Sequence, residues 1–258
     1  MKKAYIVANW KMHLNTGQAS MYLHKLTKEI KSSRNLEIIL APSLVSLQPL
    51  SLQLDHRKFR LAAQNFYHQE SGAFTGEVSI SQLRGLVDYA IVGHSERRHV
   101  FNESDRDIRK KVASSLRNNI TPILCIGETA SERTFGETTT VIKDQLIGGL
   151  IDVSEEDIKN VMIAYEPVWA ISTARGATRA NPEDVAKALE IIRGELSIMY
   201  GKKVAEEVTL LYGGSITPTS ADDYLSISSC DGLLVGAASL KLQDFINIVE
   251  TAKRVKNA

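Results

Sequence analysis

The strongest constraint on this chain is a rhythm. Eight short apolar runs, at residues 5–8, 37–41, 59–63, 89–92, 123–126, 161–165, 208–212 and 232–235, are separated by stretches with helical spacing. The runs are continuous rather than alternating, which is how strands covered on both faces read in a parallel sheet. Between them Ala19, Tyr22, Leu23, Leu26 and Ile30 recur at three- and four-residue intervals. So do Ile108, Val112 and Leu116, then Val185, Leu189, Ile192, Leu196 and Met199, then Leu242, Phe245, Ile246 and Val249, each marking one buried helix face. Helix starts are expected at Asn181 ahead of Pro182, at Ser154 with Asp157 three residues on, at Thr217–Pro218, and after His94 with Ser95 as cap.

No two-residue hairpin signal separates the runs, and no linker rich in Pro, Gly or Ser divides the 258 residues. Eight strand–helix units in a chain of this length predict an α/β fold, a single (β/α)8 barrel of the TIM type, as one domain over residues 1–258. An open dinucleotide-binding sheet would need Gly-x-Gly-x-x-Gly after the first run, where Asn9–Trp10–Lys11–Met12–His13 stands.

Composition removes several function classes. Thirty-one basic and 30 acidic residues leave a net charge of +1, without the dense basic footprint that nucleic acid requires. No stretch reaches the ~18 apolar residues of a membrane span. The run after Met1–Lys2–Lys3 is broken by Asn9 and Lys11, unlike a signal peptide. Cys125 and Cys230 form no spaced framework, so a reducing, cytoplasmic setting is expected.

A barrel of this type carries its chemistry at the C-terminal ends of its strands. The polar residues there are Asn9 and Lys11, Gln64–Asn65, Gly93–His94–Ser95–Glu96, Gly127–Glu128, Glu166, Gly213–Gly214–Ser215, and Gly236–Ala237–Ala238–Ser239. The last two sets are small-residue loops entering helices, so their backbone N–H groups can face an anion with no side chain between. A small phosphorylated molecule is the natural ligand. Glu166, beside Tyr165, Pro167 and Trp169, is expected to be partly desolvated, which strengthens a carboxylate as a base. His94 at a helix start fits a neutral imidazole that donates a hydrogen bond. Lys11 adds a cation.

These parts fit proton abstraction next to a carbonyl, with Lys11 and His94 stabilising the enediolate oxygens and a lid excluding water. Other chemistries lack residues. His94–Ser95–Glu96 has no Pro-Cys-x-x-Cys partner for a zinc deaminase, no His/Cys cluster has metal-ligand spacing, a glutamate stands where a Schiff-base lysine would be needed, and Gly-x-Ser-x-Gly is absent.

Asn9–Trp10–Lys11–Met12, Gly93–His94–Ser95–Glu96–Arg97–Arg98, the run from Thr121 to Glu128, Tyr165–Glu166–Pro167–Val168–Trp169–Ala170–Ile171, Tyr212–Gly213–Gly214–Ser215–Ile216 and Asp231–Gly232–Leu233–Leu234–Val235–Gly236 closely resemble the triosephosphate isomerase family, in order and over essentially the whole chain. The resemblance implies interconversion of dihydroxyacetone phosphate and glyceraldehyde 3-phosphate in glycolysis and gluconeogenesis, without metal or organic cofactor. It implies Glu166 as proton shuttle, His94 as electrophile, Lys11 as positive charge, Asn9 orienting substrate oxygens and Glu96 supporting Lys11 and His94. Phosphate would be held by N–H groups near Ser172, Ser215, Gly236 and Ala237. The loop Gly72–Ala73–Phe74–Thr75–Gly76–Glu77 resembles the family's interface loop, with Thr75 at its tip, which implies a homodimer.

The chain departs from the family at the lid. Ile171–Ser172–Thr173–Ala174 replaces the usual Ile-Gly-Thr-Gly, and Arg175–Gly176–Ala177–Thr178–Arg179–Ala180–Asn181–Pro182 runs a few residues longer. Ala237 stands for a usual glycine, and His13 for a common asparagine. A different barrel isomerase or lyase on another phosphorylated aldose or ketose fits the same residues. So does a barrel retained for protein interaction, although intact Lys11, His94 and Glu166 argue against that.

Overall fold

A computed structural model describes residues 3–171 and 178–256. Eight parallel strands, β1 (Ala4–Asn9), β2 (Leu36–Ala41), β3 (Phe59–Ala63), β4 (Tyr89–Val92), β5 (Thr121–Ile126), β6 (Met162–Tyr165), β7 (Thr209–Tyr212) and β8 (Gly232–Val235), follow one another around a closed barrel. This is the single (β/α)8 barrel that the eight runs predict. The seam joins the first strand to the last, with Tyr5 against Gly232 and Val7 against Leu234. A Cβ on Gly232 would lie 1.9 Å from the Tyr5 carbonyl oxygen, so only glycine lets these strands approach closely enough to close the ring.

Side chains alternate between two cores, as strand geometry requires. Val7, Ile39, Ala62, Ile91, Ile123, Ala164, Leu211 and Leu234 belong to the cluster that fills the barrel. Their neighbours Ile6, Leu40, Leu61, Val92, Leu124, Ile163, Leu210 and Leu233 face outward into the layer under the helices. The outer layer receives Ala19, Tyr22, Leu23 and Leu26 from helix Thr16–Glu29, Ile108 and Val112 from Asp105–Arg117, Val185, Leu189, Ile192 and Leu196 from Pro182–Tyr200, and Phe245, Ile246 and Val249 from Leu242–Val255. Cys125 and Cys230 are free and buried.

The expected cap at Asn181 forms, its side chain accepting from the Glu183 N–H with Pro182 in the first turn. Three other expected starts differ. Ser154 and Asp157 make their local bond, the Asp157 N–H donating to Ser154 Oγ at 3.1 Å, but only a 3-10 turn, Ile158–Asn160, follows. The chain is already extended at Val161 to enter β6. At Thr217 a turn comes first, with the Ser220 and Ala221 N–H groups donating to Thr217 O, and the helix is Ala221–Leu225. The third difference, at His94, lies in the site. Among the described residues no helix is long and apolar enough to cross a membrane.

Candidate active site

Period-two alternation carries the barrel's inward face past the strand ends. Asn9 follows Val7, Gln64 follows Ala62, Glu166 follows Ala164, Gly213 follows Leu211 and Gly236 follows Leu234, each two residues on. Asn9, Lys11, His94 and Glu166 line one cavity of about 220 Å³ together with Gly213–Gly214–Ser215 and Gly236–Ala237–Ala238. The structure brings these four groups together with Ser215, Gly236 and Ala237 in one lining. Ser172 and the rest of stretch 172–177 lie outside the described residues.

Glu166 is 3% exposed. Glycines on both neighbouring strand ends make room for it: a Cβ on Gly213 would sit 2.8 Å from Glu166 Cγ, and one on Gly127 would sit 2.1 Å from the Glu166 carbonyl oxygen. One carboxylate oxygen accepts the Ser95 N–H at 3.2 Å, and the other is 3.1 Å from His94 Nε2. Below it, the Cys125 thiol is pushed well up from its usual value by burial and then by the Glu166 charge, which keeps it a neutral packing group.

His94, not Ser95, caps the short helix Ser95–His99. Its Nδ1 accepts the Glu96 N–H at 3.2 Å, while Ser95 Oγ is buried with no partner among the described residues. An imidazole nitrogen does here what a hydroxyl usually does. Because Nδ1 accepts, the proton of a neutral ring resides on Nε2, the nitrogen aimed at Glu166 and the cavity.

Lys11 has a left-handed backbone, φ +49°, a conformation that costs of order 1 kcal/mol for a residue with a Cβ. Its surroundings hold it there. The Lys11 N–H donates to Asn9 Oδ1 at 3.0 Å, and Gln64 Nε2 donates both to Lys11 O at 2.9 Å and to Ala41 O at 2.8 Å. Its ammonium meets Glu96 Oε1 at 2.6 Å. Glu96 thus joins the Lys11 side chain to the His94 cap, and Gln64 is a further contact of Lys11 that strand-end position marks but local sequence does not explain.

The two small-residue loops differ. After β8, Gly236 O is taken by the Ser239 N–H and hydroxyl at 2.8 and 2.7 Å, which fixes the 3-10 turn Ala237–Leu240. The first N–H groups of such a turn have no carbonyl within it, and the residues that carry them, Ala237 and Ala238, line the cavity. Ala237 has no left-handed φ, so its methyl group introduces no backbone strain there. After β7, the Ser215 N–H donates to Ala170 O at 2.8 Å, so this donor is engaged within the protein. Lys241, which the strand-end reading missed because it lies beyond the turn, adds a second cation to the lining, 4.0 Å from Asp244.

Thr75 is exposed at the tip of a loop that folds back on itself, with Tyr67 and Phe74 rings 4.6 Å apart and Glu77 N–H donating to Phe74 O. It lies apart from the cavity lining. Beside the site, a groove of about 210 Å³ runs past Lys11, Met12, Gln64, Glu96 and Phe101. Met12 is 94% and Phe101 65% exposed.

A sequence model of the family described as triosephosphate isomerase matches residues 4–252. The curated triosephosphate isomerase of Clostridium tetani is 40% identical over 250 residues, covering 96% of both chains. That of Chloroherpeton thalassium is 39% identical over 255 residues, covering 98% of this chain and all of the relative. That of Caldanaerobacter subterraneus subsp. tengcongensis is 40% identical over 250 residues, covering 96% and 99%. With a closed eight-stranded barrel, a carboxylate, an imidazole and an ammonium gathered at its C-terminal mouth, and near-full-length matches of this strength, the chain belongs to the triosephosphate isomerase family and is an isomerase.

Proposed function

We propose that the chain, as one domain over residues 1–258, interconverts dihydroxyacetone phosphate and D-glyceraldehyde 3-phosphate in glycolysis and gluconeogenesis, with Glu166 as base, His94 as electrophile and Lys11 as electrostatic stabiliser. The observation that carries this reading is the convergence of those three side chains on a cavity also lined by the small residues Gly213, Gly214, Ser215, Gly236 and Ala237. Glu166 takes a proton from the carbon beside the carbonyl and returns it to the neighbouring carbon. As negative charge develops on the two oxygens, the Nε2–H of His94 donates to them and the Lys11 ammonium, held by Glu96, lies close enough to stabilise them. Asn9 orients the same oxygens.

The phosphate sits against the loops after β7 and β8, on N–H groups of Ser215, Gly236 and Ala237 and near Ser172, with Lys241 as an added cation. For the Ser215 N–H to serve, it must leave Ala170 O, so phosphate binding is coupled to the turn that follows Glu166. All of this chemistry is proton transfer between groups of the protein and substrate, and the reading needs no metal or organic cofactor.

The functional unit is proposed to be a homodimer in the cytoplasm. The exposed apolar groups Met12 and Phe101 flank a groove beside Lys11, and a partner's Thr75 loop is the proposed occupant. A coupled assay on both triose phosphates, repeated with a phosphorylated transition-state mimic, tests the reaction. Rapid interconversion with tight inhibition is expected, and a folded protein inert on triose phosphates but active on a longer phosphosugar would overturn it. Sedimentation tests the dimer.

A further inference from the structure

Tyr212 is the last residue of β7, directly before Gly213–Gly214–Ser215. The loop rests on its side chain: a Cβ on Gly214 would lie 2.1 Å from the Tyr212 hydroxyl oxygen, so the loop backbone passes directly over the phenol. That hydroxyl is buried and has no hydrogen-bond partner among the described residues. The Tyr212 ring packs against neighbouring tyrosines, and its hydroxyl also interacts with that of Tyr224. The closest ring to it is Tyr224, with centroids 4.2 Å apart at 36°, whereas Tyr165 is 6.5 Å away.

Tyr224, unlike Tyr212, is pinned at its hydroxyl. It is fully buried in helix Ala221–Leu225. Its O–H donates to Ala180 O at 2.8 Å and accepts from Arg179 Nε at 3.2 Å. The Arg179 guanidinium also lies 5.5 Å from the ring centroid and pairs with Asp223. A continuous column results, from Arg179 through Tyr224 and Tyr212 to the Gly214 backbone. Neither Arg179 nor Tyr224 touches the cavity.

We infer that Tyr224 is a positioning residue for phosphate recognition: its anchored ring holds the Tyr212 ring in place, and through it the loop Gly213–Gly214–Ser215. This rests on the proposed assignment of phosphate to that loop. The loop also borders Glu166 through Gly213, so loss of the column is felt more by phosphorylated ligands than by an unphosphorylated aldehyde.

The test compares wild type, Tyr224→Leu and Tyr224→Phe in steady-state kinetics on glyceraldehyde 3-phosphate, competitive inhibition by inorganic phosphate, and proton exchange of unphosphorylated glyceraldehyde. For Tyr224→Leu, KM and the phosphate inhibition constant are expected to rise together by about tenfold, equivalent to about 1.4 kcal/mol. Exchange of glyceraldehyde should stay within about twofold of wild type. Tyr224→Phe keeps the ring and should recover most of the loss.

A folded Tyr224→Leu with both constants unmoved overturns the inference, as does an equal loss on glyceraldehyde, which would mark general damage. If Tyr224→Leu does not fold, Arg179→Met at the surface is the second variant. A rise of about two- to threefold in both constants supports the column, and unchanged constants overturn it. A wild type that neither isomerises triose phosphates nor is inhibited by phosphate would instead refute the proposed function, a result separable from an active wild type indifferent to Tyr224.

Discussion

Glu128 and Glu166 stand just past the ends of neighbouring strands, β5 and β6, and both are buried, at 0% and 3% exposure. Their surroundings meet the same charge in opposite ways. Glu128 accepts from Trp169 Nε1 at 2.8 Å and from the Tyr165 hydroxyl at 3.1 and 3.2 Å, with the Arg133 guanidinium 3.9 Å away and stacked over Trp169. Glu166 has one backbone N–H at 3.2 Å, one imidazole at 3.1 Å and the Cys125 thiol beside it, and lines a cavity. A carboxylate enclosed by a phenol, an indole and a guanidinium is committed to holding structure. One that faces a cavity can exchange its partners for a substrate proton. Burial alone does not separate the two roles; access to the cavity does.

The largest effect that tests this contrast is on Glu166. Glu166→Asp withdraws the carboxylate by one methylene, and turnover should fall by about 10²–10⁴-fold, the span of a general base, with little change in the melting midpoint. Turnover equal to wild type would remove Glu166 from the base role. Lys11→Met should come next, with kcat reduced by roughly 10²–10³-fold, the size of a lost electrostatic stabiliser. An effect confined to KM would show uniform binding instead.

Glu128→Gln should behave in the reverse sense, losing about 1–3 kcal/mol of stability in denaturant unfolding through its weakened bonds while turnover stays within tenfold. Parity between Glu128→Gln and Glu166→Asp in turnover would dissolve the distinction. The smallest effect is with pH. Burial, followed by the Glu128 charge, raises the Tyr165 phenol well above its ordinary value. The unfolded phenol titrates near 10, so stability is fully present below that pH and is lost as pH rises toward the folded value. In Glu128→Gln burial still raises the phenol but the charge contribution is gone, so the alkaline decline, starting near the same pH, should level off at a lower pH, read in melting temperature against pH.

Much of this molecule was legible in its sequence because the decisive signals are local. Continuous apolar runs mark strands buried on two faces, and the residues just past each run include Asn9, Glu166, Gly213 and Gly236, which line the cavity. Asn181 and Pro182 begin a helix by their own chemistry. What was not legible depends on distance through space. That the Ser215 N–H meets Ala170 O joins two different strand ends, and that Gln64 steadies the left-handed Lys11 joins two others. His94 displaced Ser95 as cap because an unprotonated ring nitrogen accepts an N–H as well as a hydroxyl does. The Ser154 pattern formed its bond but had only a few residues before β6 in which to propagate a helix.

The seam between β1 and β8 has a consequence for how this protein is made. Tyr5 pairs with Glu37 on one side and with Gly232 on the other, so during synthesis the second edge of β1 is an open row of N–H and C=O groups until nearly the whole barrel sequence has been translated. At roughly 5–20 residues per second that interval is on the order of ten to fifty seconds. Throughout it the nascent sheet is a curved ribbon with two free edges, the geometry that invites pairing with another chain. Ring closure is thus both the last long-range contact available and the step that removes both edges. Substitutions that slow the Tyr5–Gly232 approach, such as Gly232→Ala, should appear first as aggregation during expression, before any change in the activity of the molecules that do close.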